Sequence, residues 1–358
     1  MRRATCWLIL AATVAAGCGS SNLPRDGVTF AVLAGVYYSA EPGTRAEAAM
    51  VEDSESLLRK AVADLNAAKK LDFVIIAGDL FASPDGLALD RAKAILADLR
   101  VPYYAVLGSS DGPEGAMTAP AAASALQTIA DKSADKSAGQ PPHQPWVLSR
   151  SAILWAFQGR GFSGTDGYWS RELVPGLVLV GLDTAERGCG SGHVDARQLE
   201  WLDRTLAAHA GKTVIVVGYH ELVAMHPLDE GAAWRHKWVD NAAEVRQVLE
   251  RHPNVLAVLA GAGHFAEGRV VGRTLYLASP SVSVWPLAYH LVRFSPKETE
   301  AVWVPLGDDD LTRRAQERLL ASPLFRGVFP AGEDGDTACV RLFGGKKMEI
   351  YPLPTIRP

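Results

Sequence analysis

From residue 28 onward, short runs rich in β-branched residues alternate with segments of helical periodicity, and this alternation constrains the fold most strongly. Such an order is typical of βα units whose strands join a sheet and whose helices cover it. The predicted strands are 28–33, 73–77, 103–107, 177–182, 214–217, 255–259, 274–278 and 291–294. The predicted helices are 44–68, 87–99, one that begins after the N-cap Asp195, 241–251 and about 311–321. The pattern therefore predicts an α/β protein.

The alternating pattern indicates one main domain that begins at residue 28. An irregular insert interrupts it at 112–170, where an Ala-rich piece, a tandem ADKS repeat and a proline cluster are typical of a solvated linker. Residues 306–358 form a C-terminal extension of one helix followed by irregular or short β segments. The chain has 358 residues, which is long enough to bury a large core without a metal or a disulfide to hold it.

The N-terminus has the plan of a secretory signal. Arg2 and Arg3 precede an apolar run that is too short to span a bilayer as a helix. The AAGC sequence that ends at Cys18 resembles the lipobox of bacterial lipoproteins. It therefore predicts a signal peptide at 1–17, lipidation of Cys18 and a tether at 18–27. The expected location is the cell envelope, on a bacterial membrane and facing the periplasm or the exterior; a plain cleaved signal or a hydrophobic anchor is the alternative.

Two further cysteines remain after the signal peptide and the lipidation site. Export to an oxidising compartment would allow a disulfide between Cys189 and Cys339. Two independent buried thiols are the alternative, since spacing alone does not give the geometry of the pair.

Five strand ends in succession carry short motifs. They are FVIIAGDLF at 73–81, VPYYAVLGSSD at 101–111, LVLVGLDT at 177–184, VIVVGYHEL at 214–222 and VLAVLAGAGHFAEG at 255–268. In this order they resemble five strands of the calcineurin-like metallophosphoesterase family: those that end in Gly-Asp and Gly-Asn-His-Asp, the central strand, and those that end in His-His-Pro and Gly-His-x-His. The resemblance spans about residues 28–305 and implies a four-layer α/β/β/α sandwich of two mixed sheets.

The resemblance also implies a chemistry. In that family two divalent cations share a bridging Asp, and a metal-bound hydroxide attacks phosphorus. Carboxylate, imidazole and amide ligands at the strand ends suit Mn, Fe or Zn. Two of the family's ligands stay in register in this chain, as Asp79 and His264. The other ligand positions hold residues that are not usual ligands of such a site: Gly35, Tyr37, Ser109, Ser110, Tyr219 and Ala262.

A divalent ion with two protein ligands is held weakly, because tight sites use three or four. The leading hypothesis is therefore an exported, lipid-anchored pseudoenzyme that binds a partner or ligand with the old cleft or the insert, and no cofactor is expected. The alternative is a metal-dependent phosphoric ester hydrolase with a rearranged site built on Asp79, His264, Asp111 and His220. A third interpretation is a structural component of the envelope that is held by its lipid.

The singled-out residues also have structural interpretations. Asp79 is either a functional carboxylate or a cap on a loop or helix, and Asp111 either a catalytic acid or a turn acid. His220 and Glu221 at a strand end form either an acid–base pair or part of the core. Three tyrosines either line the old cleft and stack on a ligand or fill the space of the lost metals: Tyr37, Tyr38 and Tyr219.

Charge and motifs exclude other classes of function. The chain has 36 Lys and Arg against 40 Asp and Glu, which argues against a nucleic-acid binder that depends on phosphate contacts. It has no P-loop, dinucleotide fingerprint or nucleophile elbow. The expected partners are a membrane, through the N-terminal lipid, and an envelope protein.

Overall fold

A computed structural model of the chain contains two six-stranded β-sheets that pack face to face, with helices beside them. This agrees with the predicted α/β sandwich of two mixed sheets. The structure describes residues 27–41, 43–44, 46, 48–112, 147–185, 191–225, 232–295, 298–322 and 348–352.

The first sheet joins the two ends of the described chain. Its strands are β1 (Val28–Leu33), β2 (Phe73–Ala77), β3 (Tyr103–Val106), β10 (Ala288–Phe294), β11 (Glu298–Pro305) and β12 (Met348–Pro352). Their order across the sheet is β12-β11-β10-β1-β2-β3. The three strands β1, β2 and β3 are parallel, whereas β10, β11 and β12 continue the sheet in antiparallel fashion.

The second sheet contains the middle of the chain. Its strands are β4 (Trp169–Val174), β5 (Leu177–Gly181), β6 (Thr213–Val217), β7 (Val255–His264), β8 (Glu267–Val271) and β9 (Thr274–Pro280). Their order is β4-β5-β6-β7-β9-β8, in which β5, β6, β7 and β9 are parallel and the two edge strands antiparallel.

Among the residues that the structure describes, six α-helices accompany the sheets: α1 (Ser54–Ala67), α2 (Gly86–Ala97), α3 (Arg150–Ala156), α4 (Ala196–Ala208), α5 (Ala242–Glu250) and α6 (Asp309–Ala321). The same residues include two short 3₁₀ segments at Val51–Asp53 and Ala232–Lys237. None of the helices among the described residues is both long and apolar enough to cross a bilayer.

The layers follow from the two faces of each strand. Alternate residues of the second sheet enter different cores, so Leu179 and Ile215 pack toward the first sheet while Val180 and Val214 pack with α4 and α5. Helix α4 directs its buried Leu202 and Leu206 into this outer core. The parallel strands of both sheets are covered on both faces and are therefore almost continuously apolar, whereas β4, β8 and β11 carry exposed polar residues.

Helix α4 begins as its sequence predicts. The side chain of Asp195 accepts the backbone N–H of Gln198 at 2.7 Å, which satisfies one of the N–H groups at the helix start. The Gln198 side chain does not complete a capping box. It is buried, and its amide bonds to both backbone groups of Asp183 at 2.8 and 2.9 Å, so it fixes the loop after β5.

The predicted helix at 44–68 is shorter than its composition suggests. A 3₁₀ turn precedes α1, and the buried residues 48–50 before that turn are not helical. The reason is tertiary, since the N–H of Met50 donates to the carbonyl of Ser283 at 2.7 Å instead of to a helical neighbour.

The insert at 112–170 is not irregular throughout. Its part from 147 onward contains α3, which begins at the N-cap Ser149, and the first residues of β4. The predicted extension at 306–358 contains α6 and β12, and β12 is the edge strand of the first sheet. The residues 113–146 lie outside the described part of the chain.

Candidate functional site

The parallel strands of both sheets end at one edge of the sandwich. Three residues of the loops and strand ends there have left-handed backbones although they are not glycine, namely Tyr37 (φ 48°), Asp79 (φ 50°) and His264 (φ 62°). Tyr37 follows β1, Asp79 follows β2, and His264 is the last residue of β7. The side chain of Tyr37 contacts those of the other two residues. Non-glycine residues in this conformation are strained, and they cluster at functional sites. The edge therefore has the backbone geometry of a functional site.

Asp79 lies at the centre of the site and is only 1% exposed. Its Oδ2 accepts the hydroxyls of Tyr37 at 2.8 Å and Tyr219 at 2.5 Å, and its Oδ1 accepts the N–H of Ser110 at 2.9 Å. The Tyr219 hydroxyl also receives a hydrogen bond of 3.3 Å from Oγ of Ser109. A buried carboxylate needs such partners. Here groups of the chain itself supply them.

The hydroxyl oxygen of Tyr37 lies between two residues. It is 2.8 Å from Oδ2 of Asp79 and 3.4 Å from Nε2 of His264, and the tyrosine and histidine rings meet edge to face. Because its hydrogen is donated to Asp79, the oxygen can accept an N–H from His264. A divalent ion bound to both residues would need to lie about 2.0–2.2 Å from each. The hydroxyl oxygen contacts both of these groups and would be too close to an ion that they shared.

The residues present do not fit the two-metal centre that the resemblance implies. Within the described ranges, no group of three or more His, Cys, Asp or Glu side chains is arranged to hold a metal ion. The two phenols donate protons to Asp79, so they occupy the carboxylate oxygen that a bridging ligand would present to an ion. Ala262, at another predicted ligand position, is fully buried and packs in an apolar cluster with Tyr219.

At Gly35 the surroundings of the family's ligand position differ as well as the ligand itself. It has a φ of +53°, and a Cβ atom placed on it would come within 2.6 Å of Oγ of Ser281 and 3.1 Å of Nε2 of His264. The hydroxyl of Ser281 donates to the Gly35 carbonyl at 2.7 Å, and that of Ser283 to the Val36 carbonyl at 2.5 Å. The loop after β1 is thus fixed to the loop after β9, in the place where the family's first aspartate would project.

Asp111 connects two loops of the first sheet. Its carboxylate oxygens accept the N–H groups of Phe81 at 2.9 Å and Gly108 at 2.8 Å, and the residue is 1% exposed. Burial is the main cause, and the negative charge of the nearby Asp79 the second, that raises the pKa of Asp111 to about 7. These contacts favour the structural interpretation of Asp111 over its predicted catalytic role.

The two histidines of the predicted site have different surroundings. His264 faces Tyr37, whereas Nδ1 of His220 lies 2.9 Å from Oγ1 of Thr184. Burial, together with the positive charges of Lys237 and His236, lowers the pKa of His220 to about 3 and holds that of His264 well below its usual value. Both rings are therefore neutral at ordinary pH. Of the two, His264 faces the hydroxyl of Tyr37, whereas the His220 ring meets the Tyr219 ring edge to face.

Two further charged groups lie beside the site and were not predicted from the sequence. Arg150, on α3, forms a largely buried ion pair with Asp183, which follows β5. Lys237 is 2% exposed, and its carbonyl accepts the N–H of the fully buried Glu221 at 2.9 Å. No sequence signal could identify Arg150, because it lies in the segment predicted to be irregular. Lys237 had no motif around it.

Solved structures identify the fold. A dimetal phosphatase from Danio rerio aligns with a TM-score of 0.56 and 17% sequence identity, covering 79% of this chain and 98% of that one. The chain has the metallophosphoesterase fold. The resemblance seen in the five strand ends is thus confirmed.

Part of the chain is similar in sequence to a phosphodiesterase. The 3′,5′-cyclic adenosine monophosphate phosphodiesterase CpdA of Escherichia coli, from strain K12 and from O157:H7, is 30% identical over 135 residues. The match covers 37% of this chain and 46% of that enzyme, so it spans about half the length of the relative. No model of a known protein family matches the chain.

Several predictions fall outside the described residues. The signal peptide, the lipidation site Cys18 and the cysteine pair Cys189 and Cys339 belong to this group.

Proposed function

We propose that this metallophosphoesterase-fold protein does not hydrolyse phosphoesters, and that it is exported, anchored to a bacterial membrane by lipid on Cys18 and binds an envelope partner. The position of the Tyr37 hydroxyl between Asp79 and His264 carries the proposal. The two residues that stay in register with family ligands are bonded to, or face, a group of the chain itself.

Energetics support this proposal. To expose Asp79 to ions, the hydroxyls of Tyr37 and Tyr219 would both have to leave it, although these residues are only 5% and 2% exposed. A buried polar group left without a partner costs about 1–3 kcal/mol. The opened site would still offer only Asp79 and His264 from the family's ligand set, which is too few for tight binding.

Hydrolysis and metal binding test the first part of the proposal. The chain from Gly19 onward keeps every described residue and can be assayed with bis(p-nitrophenyl) phosphate and 3′,5′-cyclic AMP in Mn²⁺, Fe²⁺ or Zn²⁺. We expect the same rates from the wild type and the Asp79→Ala variant, and no rise in melting temperature with metal, because an ion that binds the native state would stabilise it. Stoichiometric metal with a rate that disappears in Asp79→Ala would overturn the proposal.

Lipid labelling tests the anchoring. Labelled palmitate fed to cells that express the full chain is expected to enter the wild type and not Cys18→Ser. Cys6→Ser, which changes a cysteine within the predicted signal peptide, is the matched control and should still be labelled. A labelled Cys18→Ser protein would contradict lipidation at this residue.

A second candidate function is a metal-dependent phosphodiesterase with a reduced site, and the similarity to CpdA favours it. Its ligands would be Asp79 and His264, and Tyr37 would have to move away from both. Tyr37→Ala separates the two candidates. The hydrolase predicts tighter metal binding and faster turnover in this variant, whereas the leading proposal predicts a destabilised protein without activity.

A further inference from the structure

A groove of about 550 Å³ lies on the first sheet. It is far from the cluster of Tyr37, Tyr219 and Asp79, which we call the tyrosine–aspartate site. It is lined by side chains from β1, β10, β11 and the end of the α1 region: Thr29, Lys70, Leu291, Arg293, Glu300 and Val302. Leu291 and Arg293 lie on the face of β10 opposite Val292, which is buried in the main core. The groove therefore opens outward and combines an apolar floor with three charged side chains.

Two charges of the groove stand directly opposite each other without pairing. Arg293 on β10 is in register with Glu300 on β11, and Arg293 is exposed. Neither side chain has a hydrogen-bond or ion-pair partner among the residues that the structure describes. Lys70 is also exposed, and its ammonium lies 3.3 Å from the carbonyl oxygen of Gly27. The groove thus presents two cations and one carboxylate to a ligand.

The groove lies where the chain leads to the predicted anchor. Gly27 is the first described residue, and β1 runs from it for six residues, or about 20 Å, toward the site at Tyr37. Eight residues lie between Cys18 and Gly27, and the nine steps along the chain give a reach of at most about 30 Å. A lipid on Cys18 would therefore keep the groove near the bilayer surface, with the tyrosine–aspartate site at the opposite edge of the sheet.

We propose that this groove binds a phospholipid headgroup that carries both a phosphate and a primary ammonium group, as in phosphatidylethanolamine. Lys70 and Arg293 face the phosphate, Glu300 receives the ammonium, and the apolar floor of Leu291 and Val302 contacts the glycerol and the first acyl carbons. The inference rests on the membrane anchoring in the proposed function. It adds that the body of the protein, and not its lipid alone, touches the membrane.

Vesicle binding tests the groove without the lipid. The chain from Gly19 onward is sedimented with vesicles of phosphatidylcholine alone and of phosphatidylcholine mixed with phosphatidylethanolamine. We expect stronger binding to the mixed vesicles, and Arg293→Gln or Lys70→Gln should weaken it about fivefold, as expected for the loss of one solvent-exposed ion pair. Glu300→Gln should remove the preference for the mixed vesicles.

Lys60→Gln is the matched control, since Lys60 is an exposed lysine of α1 that pairs with Asp64 at 3.1 Å, away from the groove. Its binding should equal that of the wild type, and melting temperatures check that all variants are folded. Three results would overturn the proposal: no binding to mixed vesicles, binding that Arg293→Gln and Lys70→Gln leave unchanged, or equal binding to both kinds of vesicle. Labelling of Cys18 is measured separately, so failure of the groove and failure of the anchor are distinguishable.

Discussion

Tyr219, which follows β6 in the second sheet, donates its hydroxyl hydrogen to Oδ2 of Asp79, which follows β2 in the first sheet. This bond of 2.5 Å connects the two sheets at the edge where metallophosphoesterases place their catalytic loops. In this chain the carboxylate holds the sheets together through phenols of the chain itself.

Tyr219→Phe is expected to destabilise the protein by about 1.5–3 kcal/mol, because the buried Asp79 carboxylate loses one of its three hydrogen bonds. Urea denaturation measures the change. The control is Tyr104→Phe, since Tyr104 is also buried but its hydroxyl bonds to no other group among the described residues. Equal effects of the two substitutions would show that the Asp79 bond contributes nothing measurable.

Gly35→Ala is expected to destabilise the protein more than Gly43→Ala. Both glycines have positive φ angles, but a Cβ at Gly35 would approach Oγ of Ser281 to 2.6 Å, whereas one at Gly43 meets open space. The backbone penalty of about 1 kcal/mol is common to both variants, so the excess at Gly35 reports the clash. Thermal or urea unfolding measures it, and similar losses at the two positions would contradict the tight packing.

Asp111→Asn is expected to change how stability depends on pH. The pKa of Asp111 is raised from 3.8 to about 7 by burial and by Asp79, so the folded protein binds more protons than the unfolded chain between these values. The contribution of Asp111 to stability therefore falls as pH rises from about 4 to 7, by up to about 1.4 kcal/mol per pH unit. The difference in unfolding free energy between the two proteins should vary with pH in this range, and parallel curves would refute it.

Arg150→Met is expected to destabilise the protein by about 3 kcal/mol, because it leaves the carboxylate of Asp183 buried and unpaired. The side chains of this pair are only 12% and 5% exposed. Arg197→Met is the control, since Arg197 is 72% exposed in its pair with Asp166 and should lose less than 1 kcal/mol. Unfolding experiments on both variants give the comparison, and equal losses would show that burial of the Arg150 pair has no effect.

Much of the sandwich could be predicted from local pattern. Apolar runs such as Phe73–Ala77 are buried on both sides, so their composition alone marks them as strands. Helix starts with a side-chain cap, as at Asp195, were also visible. The predicted start of α1 was wrong, because the N–H of Met50 donates to the carbonyl of Ser283, more than two hundred residues away. Local composition contains no information about such a bond.

The site was predicted in position but not in chemistry. Motif order placed Asp79 and His264 at the same edge, and it allowed tyrosines to fill the space of the lost metals. It could not show that two of these tyrosines donate to one carboxylate oxygen, because that depends on where β1, β2 and β6 end relative to one another. The role of Arg150 could not be predicted, because a short helix within a long insert has too few residues to form a periodic pattern.

The hydrogen bonds from two tyrosine hydroxyls to Asp79 have a consequence for how the protein is made. An enzyme with two ions in its core must collect them from its surroundings before the catalytic loops reach their final shape. This chain carries the equivalent partners in its own sequence, as Tyr37 and Tyr219, so synthesis alone provides everything that the loops need. Its yield and its lifetime should therefore be the same in metal-starved and metal-replete cells.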